Sequence, residues 1–182
     1  MYSFKEDIKL SLPPVLIRRP SPDEIVLIRK LWTDRDTMSD VGGTVDYSAG
    51  QMKDWFSGIM DKNNISDNYF IIFADSQFTG EISFHRYRAD RHAADFNIKI
   101  MNNLRGHGYS LKAMQCFFHY VFEIIRLNAL HDELYSENKR GIRALEKMGF
   151  EIIENKGRTV NMILKRENCL SSIDEIHITH LT

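Results

Sequence analysis

The sequence has 182 residues, 43% of them hydrophobic, which is enough for one well-buried core and short for two full domains. Its 24 Lys and Arg nearly balance its 25 Asp and Glu, which argues against a broad basic surface for nucleic acid and against an acidic tail. We therefore expect one domain over residues 1–182, with a small molecule or a local peptide as its partner.

The cysteine content and the apolar runs indicate in which cellular compartment the protein is expected. Two cysteines, Cys116 and Cys169, argue against a disulfide scaffold or a four-ligand zinc site and favour a reduced compartment. His119 and His131 have no partners at ligand spacing, so we expect no metal. The first residues lack a basic segment followed by an apolar one, and no run of about 18 apolar residues occurs. We expect a soluble, cytoplasmic protein without a membrane partner.

The first predicted elements are a strand and two helices. Residues 15–20 have the apolar character of a strand, and Ser21 followed by a proline is typical of a helix start. The polar stretch 33–47 contains two adjacent glycines, and Val41-Gly42-Gly43 within it is predicted as an irregular loop. Ser48 then begins the second helix, because apolar residues follow it at helical spacing.

Three strands follow, at residues 68–75, 78–88 and 93–101. Their connectors are short turns, which favours an antiparallel meander. The run 68–75 is almost entirely apolar, and such a run is typical of a central strand.

The stretch Asn103–Ser110 lies between the third of these strands and a predicted helix over residues 111–125. Its sequence is Asn-Leu-Arg-Gly-His-Gly-Tyr-Ser. A strand that leads through closely spaced glycines into a helix presents free N–H groups at the positive end of the helix dipole, which suits a phosphate. Two glycines are equally compatible with a turn that only needs positive φ. Arg105 adds a charge beside the loop, which favours the phosphate site.

The last part of the chain is predicted as a strand, a helix, a hairpin and a tail. The strand at residues 129–136 follows a long helix, so it can lie parallel to the strand 93–101. Residues 139–148 form the helix, and residues 150–154 and 159–166 form the hairpin. Within the tail 167–182, the alternating residues 173–178 fit an edge strand or a contact with a partner. A homodimer and a closed monomer both remain open.

This order of elements resembles the GCN5-related N-acetyltransferase (GNAT) family. The resemblance rests on Arg105–Tyr109 and on residues 138–150, Asn-Lys-Arg-Gly-Ile-Arg-Ala-Leu-Glu-Lys-Met-Gly-Phe, and it covers residues 15–166. The ending Leu-Glu-Lys-Met-Gly-Phe looks most like the branch of the ribosomal-protein alanine acetyltransferases. The resemblance implies an α/β fold whose mixed, mostly antiparallel sheet is flanked by helices, with a strand-loop-helix cofactor site. It also implies acetyl-CoA-dependent acetylation of a primary amine, on a small molecule or a peptide N-terminus.

The resemblance also implies which residues hold acetyl-CoA. The amides from Arg105 to Ser110 would bind the pyrophosphate, the strand from Phe96 to Met101 would pair with the pantetheine arm, and Asn138 would contact that arm. The implied cofactor-binding residues are Phe96, Asn97, Ile98, Lys99, Ile100, Asn103, Arg105, Gly106, His107, Gly108, Tyr109, Ser110 and Asn138. Two positions depart from the family pattern: Asn103 replaces the usual Gln or Arg, and Leu145 replaces a tyrosine that often serves as the acid.

Acetyl transfer needs a neutral amine, whereas an alkyl amine with a pKa of about 10 is mostly protonated at neutral pH, so a base is required. We predict Glu81 as this base, with an ordinary solvated strand residue as the alternative. His85 shares its face and suits proton relay, although a surface histidine is the simpler interpretation. Tyr135 is a candidate for orienting a water or meeting the thiol.

Two other functions compete with acetyl transfer. A catalytically silent CoA-binding sensor or assembly module would keep the glycine loop without depending on Glu81. A nucleotide-phosphate binder is disfavoured, because the phosphate-loop and dinucleotide glycine motifs are absent from the sequence. The identity of the amine acceptor is open.

Overall fold

A mixed nine-stranded sheet forms the centre of the molecule, as seen in a computed structural model that describes residues 7–169 and 176–180. Its strands are β1 (Ile8–Leu12), β2 (Val15–Arg18), β3 (Asn68–Ala74), β4 (Gln77–Arg88), β5 (Ala93–Ile100), β6 (Ala129–Tyr135), β7 (Glu151–Asn155), β8 (Thr159–Lys165) and β9 (His177–His180). Their spatial order is β7-β8-β6-β5-β4-β3-β2-β1-β9. β5 and β6 are parallel, and the other neighbouring pairs are antiparallel. The predicted fold class, the meander and the parallel crossover are confirmed.

Helices cover both faces of this sheet. They are α1 (Ile25–Thr33), α2 (Arg35–Met38), α3 (Ala49–Met60), α4 (Tyr109–His119) and α5 (Lys139–Glu146). α4 packs against β1, β2 and β4, and α5 adds Ile142 and Leu145 to the same apolar cluster. α1 and α3 belong to a second cluster, which includes Tyr69 and Ile71 of β3. Within the described ranges, none of these helices has the length and apolar character needed to cross a bilayer.

The two ends of the chain differ from the prediction. β1 precedes the strand that we expected to be first, and its alternating Ile8, Leu10 and Leu12 are buried. β9 pairs with β1 at the edge of the sheet. Of the alternating stretch 173–178, residues 173–175 lie outside the described part of the chain, and His177 and Ile178 begin β9.

The stretch 33–47 contains two short elements that the sequence analysis did not predict, α2 and a 3-10 turn at Ser39–Val41. Gly42 and Gly43 follow this turn in irregular backbone with φ of 101° and 97°, as expected for a glycine loop. Asp34 caps α2, because its Oδ1 accepts a hydrogen bond from the backbone N–H of Thr37 at 2.7 Å. The helix after the glycine loop begins at Tyr109, two residues earlier than expected, and passes into a π-helical turn at Tyr120–Ile124.

Glu24 ties the start of α1 to β2. Its carboxylate accepts two hydrogen bonds from the Arg18 guanidinium, at 2.8 and 2.6 Å, and one from the backbone N–H of Ser21 at 2.8 Å. The bond from Arg18, opposed by burial and aided by Ser21, lowers the pKa of Glu24 to about 2. The ionised Glu24 carboxylate therefore stabilises the fold fully above the ordinary Glu pKa of 4.5, and this stabilisation is lost as the pH falls through about 2.

We expect Glu24→Gln to lower the free energy of unfolding by about 1–2 kcal/mol at pH 7, because the cap and the ion pair are both weakened. Chemical denaturation of the variant and the wild type measures this difference, which should shrink towards pH 2. The exposed Glu146→Gln is the matched control. An equal loss at pH 7 and pH 2 would contradict the assigned charge effect.

Candidate active site

A cleft opens where β5 and β6 separate. The two strands pair in register at Ala93–Ala129, Ala94–Leu130 and Asp95–His131, and the register ends there. Beyond that point, Asn97, Ile98 and Ile100 of β5 and residues 132–135 of β6 lie on the walls of a cleft of about 430 Å³. β5 pairs with β4 and β6 pairs with β8 on their outer edges, so each strand turns an open edge towards the cleft. An extended ligand with amide groups can pair with such an edge.

The glycine loop lines one end of this cleft. Gly106 and Gly108 have φ of 87° and 79°, and Gly108 is the N-cap residue of α4. A Cβ at either glycine would meet no atom within 4 Å, so the space there is open. The first N–H groups of α4 have no acceptor in a preceding turn, and they lie at the positive end of the helix dipole. Open space beside free amides is what a phosphate group needs.

Arg105 anchors this loop to the α2 region. Its guanidinium donates to the carbonyl of Ile100 at 3.0 Å, to the carbonyl of Thr37 at 2.7 Å and to Asp40 Oδ2 at 3.0 Å. Asp40 Oδ2 also accepts from Arg140 Nη2 of α5 at 3.0 Å. The side chain of Arg105 is thus engaged by protein groups, while its backbone still lines the cleft.

The structure brings most of the implied cofactor residues together. The members that line the cleft are Asn97, Ile98, Ile100, Arg105, Gly106, Gly108, Tyr109, Ser110 and Asn138. The Phe96 side chain is buried in the core, and Lys99 points to the opposite face of the sheet. Asn103 lies in the 3-10 turn Asn102–Leu104, and the exposed ring of His107 stacks on Tyr109.

Tyr135 and Asn138 lie at the end of β6 and the start of α5. Tyr135 lines the cleft and is 38% exposed, with its hydroxyl beside Gly42. Asn138 Oδ1 accepts from the N–H of Gly141 at 2.9 Å and so caps α5. Leu145, at the position of the family's tyrosine acid, is buried and contributes an apolar patch to the same cleft.

Glu81 lies beneath α1 and does not line the cleft. It is 1% exposed, and its carboxylate accepts hydrogen bonds from Trp32 Nε1 at 2.7 Å, from the Tyr69 hydroxyl and from Lys99 Nζ. Burial, together with the Glu81 charge, raises the pKa of Tyr69 well above its ordinary value. Glu81 is therefore a buried residue with three donors and not a solvated one. Its role as the base stays a prediction.

His85 lies between two polar groups on the same face. Its Nε2 is 2.9 Å from Ser83 Oγ, and its Nδ1 is 3.2 Å from Asp67 Oδ1. Burial lowers the pKa of His85 although Asp67 opposes this effect, so the ring is neutral at pH 7. A proton on Nδ1 fits the contact with Asp67 and leaves Nε2 to accept from Ser83. His85 lines a second, smaller cavity with Trp55 of α3 and is not among the residues of the main cleft.

Three carboxylates that line the cleft, Asp40, Asp132 and Glu133, were missed by the sequence analysis. Burial raises the pKa of Asp132 to about 7. Asp132 could have been found from its position in β6, because alternate residues of a strand share a face and its neighbours on that face are Leu130 and Leu134. Asp40 lies in the 3-10 turn Ser39–Val41, and no local pattern pointed to its bridge between Arg105 and Arg140.

Comparison with known proteins agrees with this architecture. The acetyltransferase PseH of Campylobacter jejuni subsp. jejuni serotype O:23/36 (strain 81-176) is 26% identical over 104 residues, which are 57% of this chain and 64% of that protein. The match thus spans less than two thirds of this relative. A spermidine N-acetyltransferase from Vibrio cholerae, in complex with CoA and spermine, superposes with a TM-score of 0.77 at 17% identity over 86% of this chain and 98% of that one.

An acetyltransferase (GNAT family) from Bacillus anthracis superposes with a TM-score of 0.71 at 17% identity, over 87% of this chain and 99% of that chain. At such identities the two structures show a shared fold alone. The family model described as acetyltransferase (GNAT) domain matches residues 15–151, well over half of the sequence. The chain therefore belongs to the GCN5-related N-acetyltransferase family.

Proposed function

We propose that the cleft between β5 and β6 binds acetyl-CoA and that the protein transfers the acetyl group to a primary amine. The observation that carries this proposal is the end of β5–β6 pairing at Asp95–His131, which leaves an open wedge leading to the glycine loop. The family membership and the resemblance of the loop to the family's cofactor motif support it.

The residues of the cleft suit the pyrophosphate, the pantetheine arm and the thioester of acetyl-CoA. The amides from Arg105 to Ser110 would hold the pyrophosphate, and the open space at Gly106 and Gly108 leaves room for it. The free edge of β5 around Ile98 would pair with the amides of the pantetheine arm. Acetyl-CoA supplies a thioester, which is an activated acetyl donor. A backbone N–H on the same edge would donate to the thioester oxygen as negative charge develops there.

Two resemblances each suggest a class of acceptor. The ending Leu145–Phe150 resembles the ribosomal-protein alanine acetyltransferases and supports a peptide N-terminus as the acceptor. The Vibrio cholerae structure, described as a spermidine N-acetyltransferase, supports a polyamine. Both are primary amines that need a proton acceptor at neutral pH.

Three further expectations remain part of this proposal. Residues 1–182 act as a single acetyltransferase domain. The compartment is the cytoplasm, where Cys116 and Cys169, which form no disulfide, stay reduced. A homodimer would form along the outer edge of β9, which pairs with β1 on its other edge.

The proposal predicts binding of acetyl-CoA followed by release of free thiol. Calorimetry of the full chain with acetyl-CoA measures binding, and a thiol assay with spermidine, an aminoglycoside and a peptide with a free N-terminus measures transfer. We expect thiol release with one of these amine classes and acetylated product by mass spectrometry. Binding without release would favour the silent CoA-binding module, and the absence of binding would overturn the assignment of the cleft.

A further inference from the structure

The ionisable side chains on the cleft walls differ in whether they form ion pairs or hydrogen bonds with other side chains. In the described part of the chain they are Asp40, Arg105, Tyr109, Asp132, Glu133, Tyr135 and Arg140. Asp40 forms ion pairs with both arginines, which stay protonated in any case. The Tyr109 hydroxyl donates to Asp75 at 2.6 Å, and Glu133 Oε2 accepts from Lys156 at 3.3 Å. Among the described residues, Asp132 and Tyr135 are the two of this set for which the structure shows no ion pair and no hydrogen bond to another side chain.

Asp132 lies at the closed end of the cleft. It directly follows His131, the last residue of β6 that pairs with β5. Tyr135 lies three residues further along β6, about 10 Å away at the usual rise per residue, where the cleft is more exposed. The glycine loop follows the other end of β5. A cofactor with its phosphates at that loop and its arm in the wedge therefore directs its thioester towards Asp132.

The surroundings of Asp132 are mostly apolar. It is half-buried, and its partner across the β6–β8 pair is Met162, which is fully buried. Leu145 of α5 lines the same cleft, at the position where the family often has an acidic phenol. The cleft therefore presents a carboxyl group at Asp132 and an alkyl side chain at Leu145, which cannot transfer a proton.

The charges that act on Asp132 oppose one another. Asp95 of β5 and Glu133 of β6 raise its pKa, whereas Lys99 of β5 and a hydrogen bond from the backbone N–H of Glu133 lower it. On α5, the cleft-lining charge is Arg140, which is paired with Asp40. Burial is the largest cause and sets the pKa of Asp132 at about 7, where a carboxyl group exchanges protons readily at neutral pH.

We propose that Asp132 is the general base of acetyl transfer, taking a proton from the acceptor's ammonium group at the closed end of the cleft. This inference rests on the proposed function. The carboxylate accepts one ammonium proton, and the neutral nitrogen forms a bond to the acetyl carbon. The carbon–sulfur bond breaks, the thiolate takes a second proton from the nitrogen, and Asp132 returns its own proton to solvent.

The test compares Asp132→Asn with the wild type, using the acceptor that gives the fastest thiol release among spermidine, the aminoglycoside and the peptide. We expect kcat/KM to fall by about 10²- to 10⁴-fold, because a positioned base contributes on that order, while the Kd of acetyl-CoA stays unchanged. The wild-type pH profile of kcat/KM should rise through about pH 7, and the variant should lack this rise. Asp132→Glu, which keeps a carboxyl group, should recover part of the rate.

A second readout does not depend on turnover. In the ¹³C NMR spectrum of the full chain without ligand, one Asp carboxyl signal should titrate near pH 7 and be missing in Asp132→Asn. Asp90→Asn, in the exposed turn between β4 and β5, is the matched control and should leave both readouts unchanged.

The outcomes separate the two proposals. Wild-type rate and an unchanged pH profile in Asp132→Asn would overturn the role of Asp132 while leaving acetyl transfer intact, and an Asp132 signal that titrates near pH 4 would also overturn it. A wild-type protein that releases no thiol with any of the three acceptors would overturn the proposed function itself. If Asp132→Asn does not fold, the wild-type pH profile and the NMR titration still decide the question.

Discussion

Glu81→Gln is expected to lower the free energy of unfolding by about 3–5 kcal/mol, because it removes one partner of a buried ion pair. The carboxylate of Glu81 accepts from Trp32, Tyr69 and Lys99, and the Lys99 side chain is only 14% exposed. A glutamine keeps one acceptor oxygen, but its NH₂ group then faces at least one of these donors. The Lys99 ammonium is also left without its counter-charge.

Chemical denaturation at pH 7 measures this loss. Glu146→Gln, on the exposed face of α5, is the control and should change the free energy by less than about 0.5 kcal/mol. A loss of stability below about 1 kcal/mol would contradict the structural role of Glu81. Kinetics distinguish a purely structural role of Glu81 from a role as the base. A stable Glu81→Gln protein that binds acetyl-CoA normally but turns over slowly would support the predicted base.

Gly108→Val is expected to weaken acetyl-CoA binding by roughly 10- to 100-fold, because it should displace one or more charge-assisted hydrogen bonds to the pyrophosphate. Gly108 precedes the first turn of α4, and its Cβ position is open in this structure. A branched side chain there would fill the space that the phosphate needs. Calorimetry with acetyl-CoA measures the change in Kd.

Gly157→Val is a close control for this experiment. Gly157 has the same φ of 79° and equally open space, but it lies in the β7–β8 turn and does not line the cleft. Both variants place a β-branched residue at positive φ and should lose similar stability. Equal affinities of the two variants for acetyl-CoA would show that Gly108 does not bound the phosphate site.

The sequence predicted those parts of the fold that are local. β3, β4 and β5 could be recognised because their connectors are short and their patterns are strong. β1 was missed because its five residues give a weak signal and its outer partner, β9, lies at the other end of the chain. α2 has four residues, too few for a helical period to show.

At the candidate site too, features that depend on neighbouring residues were predicted and features that depend on distant parts of the chain were not. The glycine loop was predicted because its glycines and the start of α4 are adjacent in sequence. The place of Asp132 depends on where two strands separate, and strand separation leaves no local pattern. The burial of Glu81 depends on Trp32, which lies 49 residues away in sequence. Alternation alone therefore cannot tell which polar strand residues face the cleft.

A crystal structure of the full chain with acetyl-CoA would test the central claim most directly. We expect the pyrophosphate at the amides between Gly106 and Ser110, the pantetheine arm between β5 and β6, and the acetyl carbon at the end of the cleft where Asp132 lies. Acetyl-CoA bound elsewhere, or bound with its thioester at the exposed end near Tyr135, would contradict the account.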